Sequence, residues 1–210
     1  MIKLMLVDDH AMLREGLRSK FEKCPDIQIV AEAGSAHELM TKLPEARPTV
    51  ILLDMKLPDA NGITLIRQIK EAHPQSRIVV LTMYDHARYA EHALESGADG
   101  FVVKGSAFEE LLQATRSVAE GKPFVSAGMA AKLGGRLKKG KRTGQLESLS
   151  QREFEVLVLL GTGLSVKEIA GQLGVSEKSV TTYRARVMEK LQLNTKSDLI
   201  RYTIEAGLVE

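Results

Sequence analysis

Residues 50–62 read VILLDMKLPDANG, and this stretch decides the fold. Val50, Ile51, Leu52 and Leu53 are a continuous apolar run. Such a run marks a strand covered on both faces, as in a parallel sheet flanked by helices, rather than a half-exposed hairpin. Asp54 ends the run, and the turn formers Pro58, Asp59, Asn61 and Gly62 follow within eight positions. A carboxylate therefore falls at the carboxyl end of a central strand, where open α/β sheets form their ligand crevice. Taken alone, Asp54 could equally serve only to cap the loop.

Outward from this stretch the first half alternates strand and helix patterns. Strands are expected at Ile2–Val7, Ile27–Ala33, Val50–Leu53, Arg77–Leu81 and Gly100–Val103. A helix over His10–Lys23 would turn Met12, Leu13, Leu17 and Phe21 inward. Ser35 with Glu38, and Ser106 with Glu109, have the spacing of capping boxes, opening helices to Leu43 and Glu120. Further helices are expected over Ile63–Ala72 and Ala87–Ser96, the latter closed by Gly97. Five βα units predict an α/β fold with a five-stranded, doubly wound parallel sheet. The strand ends carry Asp8 and Asp9, then Asp54, Thr82 and Lys104. Three crowded carboxylates repel one another and call for a cation. Hard oxygen donors favour Mg²⁺. The five histidines (10, 37, 73, 86 and 92) lack metal-ligand spacing, and His10 alone adjoins the carboxylates.

Composition narrows the class. With 210 residues the chain can hold one large domain or two small ones, and without Trp its cores must rest on aliphatic side chains and Met. The single cysteine, Cys24, rules out an internal disulfide and a thiolate metal cage. No apolar run approaches the roughly 20 residues of a membrane span. The opening MIKLMLVDDH has no signal-peptide pattern, so a cytoplasmic protein with no membrane partner is expected. Residues 1–121 hold 14 Lys and Arg against 18 Asp and Glu, whereas 122–210 hold 15 against 9. An acidic first half joined to a basic second half suggests two domains with different partners.

The DD pair, LLDMKLPDANG, the LT ending at Thr82 and FVVKG together resemble a response-regulator receiver domain over about residues 1–121. The resemblance implies a flavodoxin-like fold with Asp54 as phosphoacceptor. It also implies Mg²⁺ held by Asp8, Asp9, Asp54 and the backbone carbonyl of Lys56, Thr82 and Lys104 on the phosphoryl oxygens, and Phe101 as the switch aromatic. Many receivers have proline after the lysine, where this chain has Gly105. Lys56 and Tyr84 lie two positions beyond Asp54 and Thr82 and are expected to tune the lifetime of the acyl phosphate.

Residues 122–145 are expected to form a short helix (Ser126–Leu137) and a flexible basic linker. Arg136, Lys138, Lys139, Lys141 and Arg142 lie there among glycines. In the last block, 146–210, Ser150 with Glu153 and Ser165 with Glu168 again have capping-box spacing, and Ser176 opens a helix to Leu191. Ile169, Ala170, Leu173, Gly174, Val175, Val180 and Tyr183 fall at helix-turn-helix spacing. Val180, Tyr183, Val187 and Leu191 would face inward, leaving Lys178, Thr181, Thr182 and Ala185 for a major groove. Lys178, Arg184 and Arg186 would hold phosphates, with Thr181 or Thr182 reading a base edge by hydroxyl or methyl. This block is similar to the LuxR/NarL-type DNA-binding domain. The family often has Lys and His where Thr181 and Tyr183 stand. A last helix is expected over Thr195–Ala206, with Leu199 and Tyr202; the resemblance implies that it pairs DNA-bound domains on two half-sites, the alternative being packing within its own domain.

Together the halves resemble a NarL/FixJ-type response regulator. The resemblance implies a transcription regulator rather than an enzyme. Its partners would be a sensor histidine kinase, double-stranded DNA, a second copy of the chain when phosphorylated or DNA-bound, and RNA polymerase. Two alternatives stand beside it. One is a regulator that binds DNA without phosphorylation. The other is an aspartyl-phosphate phosphohydrolase, whose second Asp would fall where Lys56 stands.

Overall fold

The computed structural model describes residues 1–83, 87–138 and 145–209. Tyr84 and the basic residues Lys139, Lys141 and Arg142 therefore lie outside the described residues. The chain divides into a compact unit built from Met1–Met83 and Ala90–Ala130, and a second that takes in Ala131–Glu210.

In the first unit β1 (Ile2–Val7), β2 (Ile27–Ala33), β3 (Val50–Leu53), β6 (Arg77–Thr82), β7 (Gly100–Val103) and β8 (Phe124–Val125) form one sheet. Their order is β2-β1-β3-β6-β7-β8 and every pairing is parallel. The sheet thus has six strands where five were expected. Two residues between Pro123 and Ser126 are too few for a periodic signal. They pair because the Phe124 and Ser126 amides donate to the carbonyls of Asp99 and Phe101. Two further strands, β4 (Lys56–Leu57) and β5 (Ala60–Asn61), make a small antiparallel hairpin in the loop after β3.

Helices α1 (Ala11–Phe21), α2 (Ala36–Ala46), α3 (Gly62–Ala72), α4 (Ala87–Glu95) and α5 (Phe108–Ala119) connect the strands. Leu4, Leu6, Val50, Leu52, Val79, Leu81 and Val102 pack with Phe21, Leu111, Ala114 and Val118 on one face of the sheet. By strand alternation the equally buried Met5, Ile51, Leu53, Ile78, Val80 and Phe101 line the other face. Chain connections diverge from β1 and β3 to opposite sides, so the switch-point crevice opens at the ends of these two strands.

Two helix details differ from expectation. Met12 is 88% exposed; Arg14 takes the inward position instead, its guanidinium donating to the Asp8 carbonyl and pairing with Glu32. Ser106 does not cap α5, whose N-cap is Ala107. The Ser106 amide is engaged in a turn onto the Val103 carbonyl, so the helix starts later. Ser35 does cap α2, accepting from the Glu38 amide, while the Glu38 carboxylate reaches the Gly34 amide.

The linker helix α6 runs from Ala127 to Lys138. The second unit then holds α7 (Gln151–Gly161), α8 (Val166–Leu173), α9 (Glu177–Lys190) and α10 (Lys196–Glu205). Capping boxes close the starts of α7, α8 and α10, formed by Ser150/Glu153, Ser165/Glu168 and Thr195/Asp198. Gly174 ends α8 at φ 63°, a left-handed conformation that glycine adopts without penalty. Val156, Leu157, Ile169, Leu173, Val180, Val187, Leu191 and Leu199 are the core.

Candidate functional site

The parallel ladder positions the acidic crevice. Just beyond the strands the Asp8 amide donates to Ala33, Asp54 to Val7 and Lys104 to Thr82. Each functional residue is therefore one step past its strand and held in register by its neighbour. Lys104 Nζ lies 2.7 Å from both Asp54 Oδ2 and Asp8 Oδ2. Asp8 and Asp54 are each only 3% exposed, and Thr82 at the end of β6 is 1% exposed. Asp9 is more open, and His10 Nδ1 lies 2.7 Å from its carboxylate and 3.1 Å from that of Asp8. Phe101 is fully buried in β7.

Burial pushes the Asp54 carboxyl above its ordinary range, with the Asp8 charge adding to the rise and the Lys104 pairing only partly opposing it. Burial also works against the Lys104 ammonium, but its hydrogen bonds and charge attraction to Asp54 and Asp8 outweigh that, and its pKa is raised. One ammonium does not neutralise three carboxylates. Asp8, Asp9, His10 and Asp54 offer ligand atoms all within 4.8 Å of one another, a mostly oxygen donor set that suits a hard divalent cation.

The β4–β5 hairpin borders this crevice. The Lys56 amide donates to Asp54 Oδ1 at 3.2 Å, and Lys56 is an exposed residue. Asp59, at the hairpin tip, accepts from the Ala36 and His37 amides at 2.8 and 2.9 Å and so caps α2 from 22–23 residues away. Asn61 caps α3 through the Ile63 and Thr64 amides. A Cβ on Gly62 would stand 2.8 Å from Met55 backbone atoms, so only glycine permits this closure. Asp59 reads in the sequence merely as a turn residue, and no local signal discloses its partner. Arg14, which braces the Asp8 carbonyl, likewise has no local signal in the sequence. Gly105, after Lys104, has φ +105°, a conformation L side chains rarely adopt.

In the second unit Lys178, Thr181, Thr182, Arg184, Ala185 and Arg186 are all exposed on α9. Val180 and Val187 are fully buried, whereas Tyr183 is only half-buried. Leu199, expected at a dimer contact, is 1% exposed and belongs to the core of its own unit. Its position on α10 follows the buried stripe it shares with Thr203. Tyr202 is half-buried, and that burial raises its phenol pKa. The outer face of α10 instead presents Arg201 and Ile204, the latter 52% exposed.

An α/β unit with an acid-and-lysine crevice at its switch point, followed by a helix-turn-helix, defines a phosphorylation-switched, DNA-binding regulator. Comparison with known proteins gives the family. The response regulator receiver domain model matches residues 4–116, and that of the LuxR family of bacterial regulatory proteins matches 147–203. The oxygen regulatory protein NreC of Staphylococcus epidermidis (strain ATCC 12228) is 34% identical over the whole of both chains. RcsB of Salmonella enterica serovar Typhimurium, bound to promoter rprA with the phosphomimetic BeF3-, is 27% identical. It covers 96% of this chain and 97% of that one at a TM-score of 0.80. A structure of two RcsB dimers bound to two parallel DNAs is 30% identical, covering 97% and 98%, at a TM-score of 0.64. The chain belongs to the two-component response regulators that join a receiver to a LuxR-type DNA-binding domain, the NarL/FixJ type. It is a transcription regulator switched by phosphorylation.

Proposed function

We propose that Asp54 is the phosphoacceptor, that a sensor histidine kinase is the donor, and that α9 reads the DNA whose use this controls. The Asp54–Lys104–Asp8 contact carries the reading, because it gathers nucleophile and counter-charge from three strand ends. In the transfer, an Asp54 oxygen attacks phosphorus in line and the bond from phosphorus to the donor nitrogen breaks. Lys104 moves with the phosphoryl oxygens and balances their charge, and the Thr82 hydroxyl donates to another of them. Mg²⁺ held by Asp8, Asp9, Asp54 and the Lys56 carbonyl would supply the remaining positive charge. Phosphorylation brings roughly −1.5 to −2 charges into the crevice. Thr82 is drawn inward, and Phe101 turns into the space it leaves. Lys56, two positions beyond Asp54, helps set the lifetime of the acyl phosphate against water.

The functional division is receiver 1–121, connecting segment 122–145 and DNA-binding domain 146–210. Lys178, Arg184 and Arg186 hold phosphates, and Thr181 and Thr182 face base edges. Two copies occupy two half-sites; the similar RcsB is seen as dimers bound to DNA. The exposed Arg201 and Ile204 of α10, with the edge of Tyr202, meet their counterparts across the dimer. The regulator works in the cytoplasm and acts on RNA polymerase at the promoter. Among the described residues no helix is long and apolar enough to cross a membrane.

Incubation with acetyl phosphate and Mg²⁺, followed by intact mass, tests the acceptor. One phosphoryl group should add to the wild type and none to Asp54→Ala. Labelling that persists in Asp54→Ala would overturn the assignment. Operator affinity that is equal in the two proteins would show DNA binding independent of phosphorylation.

A further inference from the structure

We propose that the base-reading face of α9 recognises thymine through methyl groups, with Thr181 and Thr182 acting by their γ-methyls and not by donation from their hydroxyls. The proposal rests on the reading of α9 as the DNA-contacting helix. Thr181 Oγ1 donates to the Glu177 carbonyl and Thr182 Oγ1 to the Lys178 carbonyl, each at 2.9 Å. A threonine hydroxyl has one proton to give. Both protons are therefore spent on the helix backbone one turn earlier. Turning either hydroxyl toward a base would exchange one hydrogen bond for another and gain little net free energy.

What the two side chains still present is a methyl group and an oxygen that can only accept. Ala185 follows Thr181 by four residues and Thr182 by three, so its exposed methyl joins theirs on one face. The middle of this face therefore carries three methyls and no free donor from Thr181, Thr182 or Ala185. In the major groove thymine offers the C5-methyl, an apolar feature that cytosine lacks, whereas guanine offers two acceptors that want donors. The patch favours thymine and gives guanine's two acceptors no donor from these three positions, while Lys178 and Arg186 at its edges hold phosphates. Selectivity here is by shape and desolvation. It should tolerate loss of the hydroxyl and fail on loss of a methyl from either partner.

The test uses the full-length chain treated with acetyl phosphate and Mg²⁺. Binding sites are selected from a random duplex pool, and each selected thymine is then replaced by deoxyuridine, which lacks the methyl group. Thr181→Val and Thr182→Val keep the branched shape and the methyl; Thr181→Ser and Thr182→Ser keep the hydroxyl alone. Circular dichroism confirms that all four variants remain helical. The expected result is a several-fold loss of affinity on deoxyuridine substitution at the α9-facing positions. The valine variants should keep the selected sequence and the serine variants should lose its thymines. Valine variants that lose the selected sequence, or deoxyuridine sites bound as tightly as thymine sites, would overturn the proposal. A full-length chain that selects no sequence at all would instead overturn the reading of α9 itself.

Discussion

Replacing Lys104 by Met removes one charge from a crevice that holds three of the opposite sign. The ammonium lies 2.7 Å from an oxygen of Asp54 and of Asp8, and both acids are nearly inaccessible to water. Stranding a buried charge by removing its partner typically costs about 3–5 kcal/mol. Asp9 keeps 33% of its side chain exposed at the mouth of the crevice, so water reaches its edge and the lower end, about 3 kcal/mol, applies. The pH dependence has a definite sign. The Asp54 carboxyl is already raised by burial, and losing Lys104 raises it further. A raised carboxyl stabilises the fold fully below its unfolded value and loses that contribution as pH rises through the folded value. The deficit of Lys104→Met should accordingly be small in acid and largest at mildly alkaline pH. A divalent cation that binds only the folded crevice should repair it, by about 2.7 kcal/mol at a hundredfold excess over its Kd. Urea unfolding followed by circular dichroism, in EDTA and in Mg²⁺ across pH, gives all three quantities. A variant as stable as wild type at mildly alkaline pH in EDTA would refute the electrostatic account of the crevice.

Three further outcomes follow from particular contacts. In Gly161→Ala the new Cβ would stand 2.5 Å from the hydroxyl oxygen of buried Thr203, forcing α7 and α10 apart. The overpacking cost of about 1–3 kcal/mol should exceed the gain of about 0.4–1 kcal/mol from a stiffer unfolded chain. Calorimetry should therefore show the second unit melting earlier and the receiver unmoved. Asp59→Ala leaves the Ala36 and His37 amides uncapped, at a cost of about 0.5–2 kcal/mol. It also loosens the hairpin bearing Lys56, so the rate of acetyl-phosphate labelling should fall more than overall stability does. Glu153 is buried, yet Lys190 and the Ser150 amide overcome its desolvation and hold its carboxyl below the usual range. Its contribution is present above the unfolded value and lost as pH falls through the folded one. Glu153→Gln should thus flatten the acid limb of the second unit's stability curve.

What was legible in the chain and what was not divides by sequence distance. The capping boxes at Ser150 and Ser165 are read from four residues each, and they form as read because both halves of the box lie within one turn of chain. Ser106 has the same spacing and fails, because the turn leaving β7 claims its amide first. Periodicity found Val180 and Val187 but misassigned Met12, since the pattern cannot tell that Arg14 is wanted beneath the crevice. For Leu199 the sequence left two readings open, a contact between copies or packing within its own unit, and its 1% exposure agrees with the second. The crevice itself was legible from strand-end positions alone, because a parallel sheet aligns the ends of its strands whatever their separation in sequence. Asp59 had no such rule to reveal it. Its partners are 22–23 residues upstream on another element, and only the closed β4–β5 hairpin brings them together. The residues that hold the reacting groups can therefore be inferred from topology, whereas those that hold the loop around them depend on where two independent turns happen to meet. That asymmetry makes Asp59→Ala the sharper test of how the site is built, since it leaves Asp8, Asp54 and Lys104 in place and alters only the support beneath them.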